Sequence, residues 1–390
     1  MTSNRLIGAG ALFLVTLLIS GQSARAAGAK LLYAFKHGSD GEYPVSELIV
    51  ARNGAIYGTT SLGGAYNYGT IFELLPSGQE KLLHTYTGGA DGGGPQSGLV
   101  ADGKGNLYGT TLFDGPRGYG TLFKIAPNGT ETVLHGFAAG NDGASPFDRP
   151  LLDRNGNLFG TTSSGGGPNC GSVGCGTVFE VTPDGSEKII YSFLGDYDGE
   201  SPWDSVIEDQ GGNLYGTTEF GGGANWGTVF VVSPSGAEKV LHRFSPSTDG
   251  GLPIGGVVAD RAGNLYGTTA CCGPSNAGTV YKIARNGAFS VVHAFRGGTD
   301  GQAPYGLTND DRGTLYGTTV EGGGPGCPST GCGTIFKIAP NGTETVIYAF
   351  TEGRDGNSPY RSPLLYNGYL YVTAASGGTQ GLGTVIKVKK

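Results

Sequence analysis

The chain has 390 residues, a formal net charge of −7 and no cluster of basic residues, which excludes the electrostatic footprint of a nucleic-acid or anionic-membrane binder. Gly 76 and Pro 20 bring the composition near the level that marks disorder, yet the glycines fall at fixed offsets between short runs of Val, Ile, Leu, Tyr and Phe. That combination indicates a turn-rich all-β protein.

The first element in chain order reads as a leader. Arg5 supplies a positive n-region, Leu6 to Ile19 an apolar run, and Ala24-Arg25-Ala26 a small-x-small cleavage site. The run is shorter than the roughly twenty residues that span a bilayer. Residues 1–26 are therefore expected to be a cleaved signal peptide, and 27–390 a single exported domain with no transmembrane segment. The destination is secreted or extracellular, in the periplasm or at the cell surface, and six cysteines in such a chain favour disulfides over metal or redox chemistry.

Beyond the leader the chain repeats itself seven times. Asp-Gly-x-x-Pro starts at Asp40, Asp91, Asp142, Asp198, Asp249, Asp300 and Asp355. Tyr-Gly-Thr-Thr or a near copy follows at Tyr57, Tyr108, Phe159, Tyr215, Tyr266, Tyr316 and Tyr371, and Gly-Thr at Gly69, Gly120, Gly176, Gly227, Gly278, Gly333 and Gly383. Each unit holds four candidate strands; in the second they are Gly98 to Ala101, Asn106 to Thr111, Gly120 to Ile125 and Glu131 to Phe137. Seven such units predict a seven-bladed β-propeller of four-stranded antiparallel blades. The last unit stops after three strands, and Lys30 to Phe35 matches the missing fourth, so the N-terminal strand is expected to complete the last blade and close the ring.

The run Gly-Asn-Leu-Tyr-Gly-Thr-Thr, as at Gly263 to Thr269, then Gly-Gly, Gly-Thr-Val-Phe and Pro-x-Gly, closely resembles the GloVer tandem-repeat family of exported bacterial proteins over essentially the whole mature chain. The resemblance implies an extracellular, propeller-forming protein of unknown molecular function and supplies no catalytic residues.

Internal copies separate scaffold from site. The Asp of Asp-Gly-x-x-Pro recurs in every unit and reads as an Asx-turn bonding the backbone two residues on, while Asp102, Asp153, Asp209, Asp260 and Asp311 precede tight turns. His84, His135, His242 and His293 share one slot with Tyr33, Tyr191 and Tyr348, an interchange that points to packing. No nucleophile elbow, metal-spaced His pair or phosphate loop occurs, so neither a cofactor nor a metal is expected. Cys170 with Cys175 and Cys327 with Cys332 occupy the two enlarged loops and are expected to staple them; Cys271-Cys272 could form a vicinal disulfide or pair with a neighbouring loop.

The variable residues lie just past each recurring Pro, where the chain enters the hub on the cysteine-bearing face. Phe147, Asp148, Arg149, Trp203, Asp204, Tyr305, Tyr360 and Arg361, with Trp226 from a neighbouring loop, form a candidate ligand site, because aromatic rings beside a few charges suit carbohydrate or peptide. The expected role is a monomeric extracellular binding or interaction module whose partner is a glycan or protein. One alternative is an extracellular carbohydrate-active hydrolase or lyase using Asp148 and Asp204. Another is a structural surface or matrix protein.

Overall fold

The computed structural model describes residues 28–390 except 52, 168, 169, 172, 325, 326, 328–330 and 352, so the leader expected at 1–26 lies outside the described residues. Those residues form seven four-stranded antiparallel sheets around an axis, a seven-bladed β-propeller. Six sheets use four consecutive strands. The seventh pairs Lys30–Ala34 with Thr384–Lys389, in register Lys30 to Lys387 and Ala34 to Thr384, and continues through Tyr369–Ala374 to Leu364–Tyr366. The N-terminal strand thus closes the ring.

The recurring motifs each have a mechanical reason. In Tyr-Gly-Thr-Thr the Gly lies under an aromatic ring of the third strand: a Cβ on Gly160 would stand 2.6 Å from Phe179 Cζ. The first Thr reaches outward to the next blade's inner strand, as Thr110 Oγ1 donates to the Asp148 carbonyl at 3.0 Å and Thr373 Oγ1 to the Ser46 carbonyl at 3.0 Å. The second Thr pairs inside its own blade with the Thr of Gly-Thr, as Thr162 with Thr177 at 2.7 Å. These buried hydroxyls thereby find partners within the protein, the Thr268 hydroxyl excepted.

Between blades, the ring that ends each outer strand packs edge-on against the next sheet. Phe35, Tyr86, Phe137, Phe193, Phe244 and Phe295 meet Phe72, Phe123, Phe179, Phe230, Tyr281 and Phe336 with centroids 5.0–5.6 Å apart. Each of these buried rings contributes about 1.5–3 kcal/mol of transfer free energy.

Asp-Gly-x-x-Pro carries the chain from the rim of one blade to the hub of the next. The Asp does not bond forward as the sequence suggested. In all seven copies its carboxylate reaches back to the N–H four residues earlier, as Ala138 N–H donates to Asp142 at 2.6 Å and Leu194 N–H to Asp198 at 2.9 Å. That N–H lies just past the outer strand and would otherwise lack a partner. The residue before each Pro takes a left-handed φ between 53° and 61°, and its N–H donates to the preceding blade, as Ser201 to the Cys175 carbonyl at 2.9 Å. This joint also explains the His and Tyr interchange: His135 and His242 contact the crossing Asp at 3.0 and 2.8 Å, and Tyr191 and Tyr348 donate to it at 2.7 and 2.6 Å.

On the opposite face Asp102, Asp153, Asp209 and Asp260 each accept backbone N–H groups two and four residues on. The sixth unit departs from expectation. There Asp310 holds the turn, and Asp311 points to solvent and pairs with Arg261. One residue fewer separates Pro304 from Tyr316 than separates Pro253 from Tyr266, which shifts the turn.

Candidate functional site

The residues just past each Pro form two stacked rings around the axis. Val45, Gln96, Phe147, Trp203, Ile254, Tyr305 and Tyr360 make the mouth. Ser46, Ser97, Asp148, Asp204, Gly255, Gly306 and Arg361 make the floor.

Arg361 ties the two rings together. Its guanidinium crosses the axis, with Nε donating to the Val45 carbonyl at 3.0 Å and Nη2 to the Gln96 carbonyl at 3.4 Å. It lies 6.0 Å from the Phe147 ring centre and 5.8 Å from that of Tyr305, within cation–π range. Phe147 packs on Trp203 at 4.2 Å and Tyr305 on Tyr360 at 5.9 Å, so an aromatic pair flanks each side of the guanidinium. Phe147 and Trp203 are half-buried, Tyr360 is 38% exposed, and Tyr305 is enclosed, its phenol pKa pushed up to about 12 chiefly by burial.

Beneath the rings lie Asp148 and Asp204, only 5% and 6% exposed. Asp204 accepts from the Ser205 N–H at 2.7 Å and the Gly256 N–H at 2.6 Å. Burial first, then the neighbouring Asp148 carboxylate, push the Asp204 pKa well above the usual carboxylate range. Among the described residues neither Asp148 oxygen has a hydrogen-bond partner. Arg149 Nε stands 3.4 Å from Glu47, whose charge is the main cause raising the Arg149 pKa. Three carboxyls, Glu47, Asp148 and Asp204, thus face two guanidiniums, Arg149 and Arg361.

The structure brings together every sequence-predicted hub residue except Trp226. That ring packs against the cluster of Val229, Phe244, Val257 and Tyr281 and against the backbone of Gly251, between blades. The Asp148 and Asp204 carboxyls both lie on the floor, 5% and 6% exposed.

The cysteines lie on the mouth face, as their loops pair with the crossings at Gly251 and Cys271. Cys170 is bonded to Cys175 and Cys327 to Cys332. Cys271 and Cys272 are adjacent thiols with Sγ atoms 2.6 Å apart, and burial, then Cys272, push the Cys271 pKa up to about 12.

Exposed apolar side chains concentrate on the same face. Among the described residues, twelve large apolar side chains are exposed, and ten of them, including Tyr66, Tyr68, Phe113, Tyr119, Tyr197 and Tyr360, lie on crossings, on loops between second and third strands, or at the hub mouth. Tyr68 and Phe113 touch at 6.4 Å. A separate cleft of ≈ 840 Å³ opens on the opposite face between the fourth and fifth blades, lined by Ile207, Tyr215, Leu241, Leu265, Ile283 and Arg285. Sequence reasoning did not find this cleft, the span of Arg361 across the hub, or Glu47. Each depends on which blades become neighbours, although the glutamate's place just past Val45-Ser46 is a usable signal.

The Gloeobacter/Verrucomicrobia repeat description matches residues 7–174 and 169–386. The chain belongs to the Gloeobacter/Verrucomicrobia repeat family. Among curated proteins none matches this repeat protein by sequence. Among solved structures, the extracellular domain of a proposed hybrid two-component system from B. thetaiotaomicron is 14% identical with a TM-score of 0.55, over 89% of this chain and 39% of that one. A proposed 6-phosphogluconolactonase from Bacteroides uniformis is 16% identical with a TM-score of 0.50, over 78% and 83%. A gluconolactonase from Xanthomonas campestris is 12% identical with a TM-score of 0.47, over 95% and 93%. At these identities the likeness is one of fold.

Proposed function

We propose that this protein is an extracellular binding module that takes a carbohydrate or a peptide at the hub mouth of the cysteine-bearing face. The observation that carries the reading is the pair of aromatic couples, Phe147 with Trp203 and Tyr305 with Tyr360, held on either side of Arg361. Aromatic faces stack on apolar sugar faces or side chains, and carbonyls and charges at the rim fix orientation. The concentration of exposed aromatics on that face extends the surface beyond the hub, and two disulfides suit an oxidising compartment.

The test is binding to a glycan array and to an array of extracellular peptides with the wild type, Trp203→Ala, Tyr360→Ala and Tyr369→Ala. Tyr369 is exposed in the turn region opposite the mouth and serves as the control. The two mouth variants should each lose tenfold or more in affinity, since a stacked aromatic contributes about 1–2 kcal/mol. Equal binding by all four proteins would remove the hub mouth as the site.

A further inference from the structure

Seven joints link outer strands around the rim, and each brings three positions together: a His or Tyr from one blade, the crossing Asp, and the first residue of the next blade's outer strand. At five joints that third residue is a glutamate, namely Glu80, Glu131, Glu187, Glu238 and Glu344. Every one of these glutamates keeps a fully enclosed Oε1 with no hydrogen-bond partner.

We propose that two of these joints, His135 with Asp142 and Glu187 and His293 with Asp300 and Glu344, are binding sites for a divalent first-row transition ion of the zinc type. Among the described residues these are the groups whose His nitrogen and carboxylate oxygens all lie within 4.8 Å of one another. The His Nε2 to Asp Oδ1 distances are 3.0 and 3.4 Å. An ion with bonds of about 2.0–2.1 Å in tetrahedral geometry sets its ligands about 3.3 Å apart, so a small closure around the ion is enough. One nitrogen with two carboxylates suits zinc and its neighbours, whereas calcium prefers an all-oxygen shell.

Further geometry points the same way. In both sites the Asp Oδ2 is taken by a backbone N–H, from Ala138 at 2.6 Å and Arg296 at 2.8 Å, and this leaves Oδ1 turned to the imidazole. In the second site His293 Nε2 is enclosed and without a hydrogen-bond partner, as is Glu344 Oε1. The imidazoles are pinned edge-on by Phe137 and Phe295 at 4.8 and 4.7 Å. Asp142 and Asp300 each end a short 3-10 turn, Gly140–Asp142 and Gly298–Asp300, unlike the other crossing aspartates.

The remaining joints show why only two sites are expected. At Tyr33, Tyr191 and Tyr348 a phenol replaces the imidazole. At the joint of His242 and Asp249, Phe289 replaces the glutamate and stacks on His242 at 3.7 Å. The joint of His84, Asp91 and Glu131 has the right residues, but His84 Nε2 stands 3.6 Å from Asp91 Oδ2, and both Asp91 oxygens are engaged by Thr87. An ion in either full site would clip two blades at the rim, with water completing its shell.

The experiment uses chelator-treated protein carrying Cys271→Ser and Cys272→Ser, so that thiols do not compete, and counts zinc by calorimetric titration and by elemental analysis after desalting. Two ions per chain are expected, with a zinc-dependent rise in Tm. Glu187→Gln and Glu344→Gln should each remove one ion, the double variant both, and Glu131→Gln none. Less than one ion per chain, no rise in Tm, or undiminished uptake by the double variant overturns the proposal. The Tm shift is read on the protein without glutamate substitutions, so a variant that fails to fold leaves the proposal testable.

Discussion

The hub and the rim are built from the same seven units and differ in how strictly they repeat. At the rim, each crossing Asp bonds the N–H four residues back and each residue before Pro donates to the preceding blade, whatever the residues between them. At the hub the mouth ring runs from Val45 and Gln96 to Trp203 and Tyr360, and no charged residue on the floor occurs in all seven units. Repetition therefore marks the parts that hold blades together. Divergence marks the parts that face something other than another blade.

The comparison breaks most severely if the ring itself is opened. Deleting 28–38 removes the strand Lys30–Ala34 and exposes the edge of Thr384–Lys389, so the product should aggregate or lose its cooperative melt. Size-exclusion chromatography with calorimetry checks this, and a monomeric, cooperatively melting truncation would refute ring closure by that strand.

Next in size is the hub charge set. Arg361→Met should destabilise by about 3 kcal/mol, because it strands the buried Asp148 without its compensating cation. Asp204→Asn should cost less, under about 1 kcal/mol, since burial and the Asp148 charge already disfavour the Asp204 carboxylate. Urea midpoints measure both. A larger loss in Asp204→Asn than in Arg361→Met would contradict this order.

A smaller effect separates the rim from the turns of the opposite face by pH. Burial first, with a neighbouring aspartate second, pushes Glu80, Glu131, Glu187, Glu238 and Glu344 up to about 7. A raised carboxyl binds its proton more tightly when folded, so this stability is complete below the ordinary carboxylate range and is lost as pH rises through about 7. Burial opposes the shift at Asp102, Asp209 and Asp260, but hydrogen bonds, led by those from Asn106, Asn213 and Asn264, outweigh it and hold them low. Their stability is instead lost on acidification below the ordinary carboxylate range. In metal-free protein Tm should therefore peak on the mildly acid side and fall towards pH 8, by about 1 kcal/mol or less per glutamate after solvent screening. The quintuple Glu→Gln variant should flatten the alkaline fall. An unchanged slope would place the cause elsewhere.

The loop staples act within single loops rather than between blades. Reducing Cys170–Cys175 and Cys327–Cys332 closes no long loop, so each contributes at most roughly 2 kcal/mol, read as the Tm difference with and without reductant.

Blade number, strand boundaries and ring closure were legible because three anchors recur in phase, so every misplacement would have had to be made seven times. The mouth ring was legible for the opposite reason, since Phe147, Trp203, Tyr305 and Tyr360 stand out against constant surroundings. What escaped were partnerships between units. Arg361 bonds carbonyls of Val45 and Gln96, more than 260 positions away, and nothing along the chain announces that reach. The direction of the crossing Asp escaped because forward and backward turns use the same residue types. The glutamate that opens five outer strands was available in the self-comparison; its meaning became visible only when each was seen beside the preceding blade's Asp.

The pairing of Lys30 with Lys387 has one more consequence. The first strand of the propeller has its partner in the last one made, so no blade order, however local, lets the circle form while the chain is still emerging. Assembly must end with a single long-range docking step, and until it occurs two unpaired sheet edges await each other. A chaperone that shielded Lys30–Ala34 during that interval would act at the one moment when the ring of blades is open.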